Sequence, residues 1–197
     1  MTRHFALLLG TMIFCAAPSL GATGTTWRVD PGHSNAEFTV RHLIVTNVKG
    51  TIPILQAMIG TAEGSTLPES IDATLDAAKL NTGNDKRDSD LRGKDWFDVA
   101  NFPALTFVST QISGTPDAFT VVGSLTLHGV TKSVTLAAKT LGTTTDGRGH
   151  RHVGYEATTK IDRRDFGLTL MSQSGASLIA GTEVTITIEV EAVAAAG

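Results

Sequence analysis

The feature that most constrains this chain is an alternation of period two, rich in β-branched residues, that recurs along most of its length. Its clearest run is 184–190, where Val184, Ile186, Ile188 and Val190 fall on one parity and Thr185, Thr187 and Glu189 on the other. Ile71, Ala73 and Leu75 alternate in the same way with Asp72, Thr74 and Asp76. Phe119, Val121, Gly123, Leu125 and Leu127 alternate with Thr120, Ser124 and Thr126, and Val153, Tyr155, Ala157 and Ile161 with Glu156, Thr158 and Lys160. Residues 26–30, 36–42, 49–59, 105–112 and 133–140 read as further strands, separated by turn-forming residues at 31–32, 64–65, 113–117, 129 and 143–149. Each strand thus has one apolar face. Such strands with short connections must hide their edges, and an antiparallel barrel of about eight strands does so most economically, with a β-sandwich as the alternative.

The first residues lie outside this pattern. Arg3 precedes an uncharged apolar run at 5–17, and small residues follow at Ser19, Gly21 and Ala22. That is the layout of a secretory signal peptide, here residues 1–22, and the run is shorter than the roughly 20 apolar residues a membrane span needs. The only cysteine, Cys15, lies within it and follows Phe14 instead of the small residue a lipoprotein signal requires. The mature chain, with its barrel at 25–193, therefore folds without disulfides in an exported setting. At about 175 residues it is long enough to do so on its core alone. A net charge of −3, with both signs interspersed, provides no basic stripe for nucleic acid.

One segment interrupts the alternation. Residues 84–98 (NDKRDSDLRGKDWFD) are dense in charge, with Leu91, Trp96 and Phe97 set among them, and suit a short surface helix over one mouth of the barrel. The charges read either as a solvated helix with internal ion pairs or as a polar rim that meets a ligand's head group, with Arg87 as its principal contact. Small residues recur at the inward positions Ala36, Ala57, Ala73, Gly123 and Ala157, and aromatics are only 6% of the chain. A ring so lined lacks the volume to fill itself and keeps room for an apolar guest.

Catalytic and metal chemistry is sparse. His150 and His152 stand two apart, as two imidazoles on one face of a strand would, but without an identifiable third ligand they read as solvated loop residues. His33, His42 and His128 are candidate bases, yet no nucleophile elbow, carboxylate pair or Cys-His pair accompanies them. His42 shares parity with Phe38 and Val40, which places it at the inner end of a strand as a hydrogen-bonded structural histidine or a rim residue. No metal and no cofactor is expected.

Several runs together resemble the YceI-like family of exported lipid-binding proteins. They are WRVDPGHS at 27–34, EFTVRHL at 37–43, Arg87-Asp88 before Leu91-Arg92, and WFDV at 96–99 with Phe102-Pro103 and Thr106-Phe107. GSLTLHGVTK at 123–132, Ile161-Asp162-Arg163 and Asp165-Phe166-Gly167 complete the set. The resemblance implies a lipocalin-like barrel of eight antiparallel strands in the bacterial periplasm. It also implies a long polyisoprenoid chain in the barrel, such as an isoprenoid quinone or prenyl phosphate, and no catalytic set. By the same resemblance Phe38, Val40, Phe107, Leu125 and Leu127 line the channel, Trp96 and Phe97 cover one mouth, and a carrier of this kind touches a membrane surface transiently. Where the family often shows a histidine before the leucine of the Arg-Asp segment, this chain has Asp90. The alternative function is a small enzyme on a lipid-linked substrate with one of the three histidines as base, which turnover would distinguish from a carrier that returns its ligand unchanged.

Overall fold

The alternating runs fold as antiparallel strands that present one parity to a common interior. The computed structural model describes residues 24–170 and 179–195; the expected leader, residues 1–22, lies outside the described residues. The strands are β1 (Gly24–Val29), β2 (Asn35–His42), β3 (Thr46–Thr51), β4 (Ile54–Ala62) and β5 (Pro68–Asp76), followed by α1 (Asp85–Arg92). Then come β6 (Ala104–Thr115), β7 (Ala118–Leu127), β8 (Val130–Thr145), β9 (Arg151–Asp162) and β10 (Glu183–Ala194).

Pairing runs β1, β4, β5, β6, β7, β8, β9, β10 and returns from β10 to β1, so one sheet closes on itself as an eight-stranded barrel and the sandwich alternative falls. The ten strands occupy eight positions. β10 pairs with β2 over 184–189 and with β1 over 192–194, so β1 and β2 share one position, while β3 and β4, paired to β2 and β1, share the next. Proline makes both breaks. Pro31 opens a 3-10 turn whose cap, Asp30, accepts the Gly32 N–H at 2.8 Å. Pro53 has no N–H to donate, and its carbonyl accepts from Asp76 at 2.8 Å. The single strand expected at 49–59 is therefore divided at Ile52-Pro53.

Bulges alter the parity that alternation predicts. β6 slips against β7 between Ser109 and Gln111, so Leu105 and Phe107 face inward before the slip and Ile112 packs on the core after it. The extra residue lets Ser109 Oγ accept the Ile71 N–H at 2.8 Å. β7 carries no such slip, and its burial alternates cleanly from Phe119 to Leu127.

Two apolar clusters occupy the halves of the barrel. One gathers Trp27, Val29, Phe119 and Tyr155, with Trp27 Nε1 donating to Thr61 Oγ1 at 3.0 Å. The other gathers Leu80, Leu105, Leu127, Phe166 and Leu168. Arg163 ties the second end and is only 4% exposed. Its guanidinium donates to the carbonyls of Leu168, Ala180 and Gly181, and the Trp96 ring centroid lies 5.1 Å from its Cζ. Burial draws its pKa down, but from the ordinary guanidinium range, far too high a starting point for the charge to be lost. A planar fork serving three carbonyls has no substitute among the other side chains. Arg163→Met should strand those carbonyls and lower the unfolding free energy by about 3 kcal/mol or more in urea titration, with Arg163→Lys recovering only part.

Candidate functional site

Between the two clusters the barrel encloses a cavity of about 180 Å³. Its wall runs from Ile59, Phe119 and Tyr155 at one end to Leu127 and Ile161 at the other. Along β7 the wall covers 119–127, about 20 Å along the axis for strands inclined as barrels require. Ala36, Ala57, Ala73 and Ala157 all lie on it, the small inward residues that alternation picks out. The polar atoms nearby are engaged elsewhere. Glu37 turns its carboxylate to Lys49 at 3.0 Å, and Tyr155 donates its hydroxyl to the Thr66 carbonyl at 2.8 Å. Burial pushes the Tyr155 phenol up to about 12, so it stays neutral. An apolar space of this kind resists hydration and favours an apolar guest.

Two glycines keep the lumen open. A Cβ on Gly123 would stand 2.3 Å from Phe107 Cζ, and one on Gly50 would stand 2.4 Å from Phe38 Cζ. The far end of each phenyl ring therefore occupies the space a side chain would take on the neighbouring strand. Gly123 faces inward as parity predicts, but Phe107 covers it, so it shapes the cavity without lining it.

The structure brings Phe38, Phe107, Leu125 and Leu127 together on the wall. Val40, one inward step beyond Phe38, lies outside the lining. Phe97 packs on the cluster at the Arg163 end and Trp96 lies over Arg163, so both stand one layer above the cavity. The helix expected in 84–98 is α1, shorter than the charged segment. Asn84 caps it by accepting the Arg87 N–H at 3.0 Å, and its acidic first turn and basic last turn match the helix dipole. Arg87 is committed to the fold: Nε donates to Thr82 Oγ1 at 2.7 Å and Nη2 to the Thr82 carbonyl at 2.9 Å. The same hydroxyl donates to buried Asp88, whose carboxylate also accepts the Thr82 N–H. Thr82 in turn lies against Phe38 beside Gly50, so this ion-rich segment sets the wall's end. Arg163, Gly50 and Tyr155 carry more of the site than the sequence reading assigns them. Arg163 alone had a signal, as the basic residue of the Ile161-Asp162-Arg163 run that carries part of the family resemblance.

The histidines lie away from the lumen. His42 is partly exposed beside the β2–β3 turn and makes no side-chain hydrogen bond among the described residues, unlike the bonded histidine expected there. His128 donates from Nδ1 to the Phe166 carbonyl at 3.3 Å and meets Phe102 edge-on, as befits a turn residue. His33 pairs with Asp30 at 2.8 Å, His152 with Glu191 at 2.7 Å, and His150 with Asp146 at 3.0 Å. Asp146 also stands 3.6 Å from His152 Nε2, but no group of three donors among the described residues is arranged to hold a metal ion. The Glu191 hydrogen bond raises the His152 pKa above its ordinary 6.5, and Asp30 raises that of His33. The His150 backbone N–H holds the Asp146 carboxyl well below the usual carboxylate range.

These shifts set a pH dependence. A raised histidine contributes stability that is whole below about 6.5 and fades as pH rises through the folded value, while the lowered carboxylates contribute above about 3.8 and fade in stronger acid. Melting temperature should therefore fall from about pH 6 to pH 8, and His152→Gln should flatten that slope. For the lumen, Gly123→Ala should drive Phe107 inward, lower stability by about 1–3 kcal/mol and weaken uptake of an apolar fluorescent probe. Ser124→Ala, facing outward on the same strand, should change stability by about 0.5 kcal/mol or less and leave uptake unchanged.

Comparison with known proteins matches this architecture. The family model for the YceI-like domain covers residues 27–192. A UPF0312 protein of Enterobacter sp. (strain 638) is 31% identical over 169 residues, 85% of this chain and 86% of the relative. The crystal structure of the Campylobacter jejuni YceI protein superposes with a TM-score of 0.69 at 30% identity, over 78% of this chain and 88% of that one. A polyisoprenoid binding domain from Saccharophagus degradans shares the fold at a TM-score of 0.59 and 17% identity, over 86% and 98% of the two chains. With its closed barrel, apolar lumen and matched length, this chain belongs to the YceI-like family.

Proposed function

We propose that the protein is a periplasmic carrier that holds the hydrocarbon tail of a polyisoprenoid lipid, an isoprenoid quinone or prenyl phosphate, inside its barrel. The observation that carries this reading is a cavity walled by apolar side chains along the barrel, with its few polar neighbours bonded elsewhere. The Saccharophagus degradans neighbour, described as polyisoprenoid binding, supports the ligand class. Export rests on the apolar leader at 5–17. The reading is of binding without turnover, in keeping with the polyisoprenoid binding domain that shares the fold and with the engagement of Glu37, Tyr155 and Thr159 by Lys49, Thr66 and Thr135.

Tail and head divide the work. The tail is sheltered from water, at about 0.8 kcal/mol for each CH₂ buried, while an apolar tube discriminates poorly among alkyl chains. Selectivity then falls to the mouth near Trp96, Phe97 and His42. Affinity for a series of isoprenoid alcohols should rise with each added unit and level off once the tail outgrows the cavity, as measured by titration calorimetry. Trp96→Ala should speed release of a bound chain without altering this dependence. An affinity indifferent to tail length would contradict the reading.

A further inference from the structure

The β2–β3 hairpin turns at the end of the barrel where β10 begins, just past the pairing of Val40 with Val184. β3 ends the pairing order and is joined to β2 alone among the described strands. At the hairpin's tip Leu43, Ile44 and Val45 are 49%, 61% and 78% exposed. The backbone there is left-handed, with φ of 50° at Leu43 and 64° at Ile44. Glycine, asparagine and aspartate are the ordinary occupants of such a turn, and a β-branched residue is an outlier. Arg41 braces it, donating from Nε to the Ile44 carbonyl at 2.9 Å and from Nη1 to Asn47 Oδ1 at 3.1 Å. The Val45 N–H closes the turn on the His42 carbonyl at 3.1 Å. A strained and braced turn thus presents three consecutive large apolar side chains to solvent, where they add nothing to the core.

Size and position select the occupant. Three side chains at a tip fall well short of the roughly 800 Å² per partner that a stable protein interface buries, yet they suffice to enter the acyl boundary of a bilayer. The position is the Trp96 and Phe97 end of the barrel, which the lipid-holding reading takes as the mouth. Phe38, on the same strand five residues before Leu43, lines the lumen. The Arg41 carbonyl accepts the Gly181 N–H at 2.8 Å, which links the hairpin to the segment that Arg163 ties beneath Trp96. Leu170 and Ile179, which flank residues 171–178, are also exposed, at 39% and 40%. Arg41, solvent-exposed at the base of the tip, is placed to stand at the level of lipid phosphates while the tip lies deeper.

We propose that the 43–45 tip inserts into a phospholipid surface and seats the mouth of the barrel on it. This rests on the lipid-holding reading, since an apolar tail passing between bilayer and barrel is spared water where the two apolar phases meet. The tip acts as a shallow, reversible anchor and leaves the wall of the cavity unchanged.

Flotation of the protein purified from its own host with phosphatidylcholine vesicles tests this. The unaltered protein should float with the vesicles and resist release by salt. The combined variant Leu43→Ser, Ile44→Ser, Val45→Ser should lose vesicle binding on the order of tenfold or more. Leu141→Ser, at an exposed apolar position on β8, should float as before. Uptake of a polyisoprenoid from detergent should be equal in all three, so a failure of the anchor is distinguished from a failure of the lipid reading. Flotation of the triple variant equal to that of the unaltered protein, or no flotation of either, would overturn the proposal. So would a lowered melting temperature in the triple variant with flotation unchanged, which would assign the tip to packing within the protein.

Discussion

Closing the sheet determines the circumference of the barrel, and the space inside must then be filled by side chains or left apolar and dry. Here the inward parity is supplied largely by alanine and branched aliphatics, and two of the three phenyl rings of the wall, Phe38 and Phe107, are laid against glycines. The lumen stays open because large side chains have been given somewhere else to go. Polar atoms that could have drawn in water follow the same logic, since Tyr155 and Glu37 reach out of the cavity to Thr66 and Lys49. Retaining the cavity forgoes packing energy within the barrel, so the ends must hold the fold.

Much of this was legible in alternation. β7 reads directly from sequence to structure because no bulge interrupts it and both neighbours pair along its length. The small inward residues at 36, 57, 73, 123 and 157 follow from parity alone. The inversion within β6 did not, because a one-residue slip at Thr110 leaves no compositional mark and is chosen by pairing with β7. Nor did the break at Pro53 show within an otherwise regular apolar run, though its cause, a missing N–H, is written in the sequence.

At the mouth, sequence reasoning found the segment but not the division of labour. The charges of 84–98 look like a rim, yet Arg87 and Asp88 converge on Thr82, and the residue that organises that end is Arg163, far along the chain. A buried arginine serving backbone carbonyls cannot be told from a surface one by local pattern, since its partners are assembled only by the fold. The hairpin tip was hidden for the opposite reason. Leu43, Ile44 and Val45 contain no turn-forming residue, and the left-handed geometry of the first two is held by Arg41 and the β2–β3 register. The outward histidines belong to neither mouth nor lumen and act on stability through Asp30, Asp146 and Glu191.

An apolar lumen of this kind is suited to an occupant, and the proposed carrier role requires one. The most direct measurement is organic extraction of the protein purified from its own host, followed by mass spectrometry of the extract against an extract of the Gly123→Ala variant. The account predicts a polyisoprenoid species in proportion to the protein, and markedly less of it from the variant, whose lumen is narrowed by Phe107. Equal recovery from both, or recovery of no apolar chain from either, would contradict it.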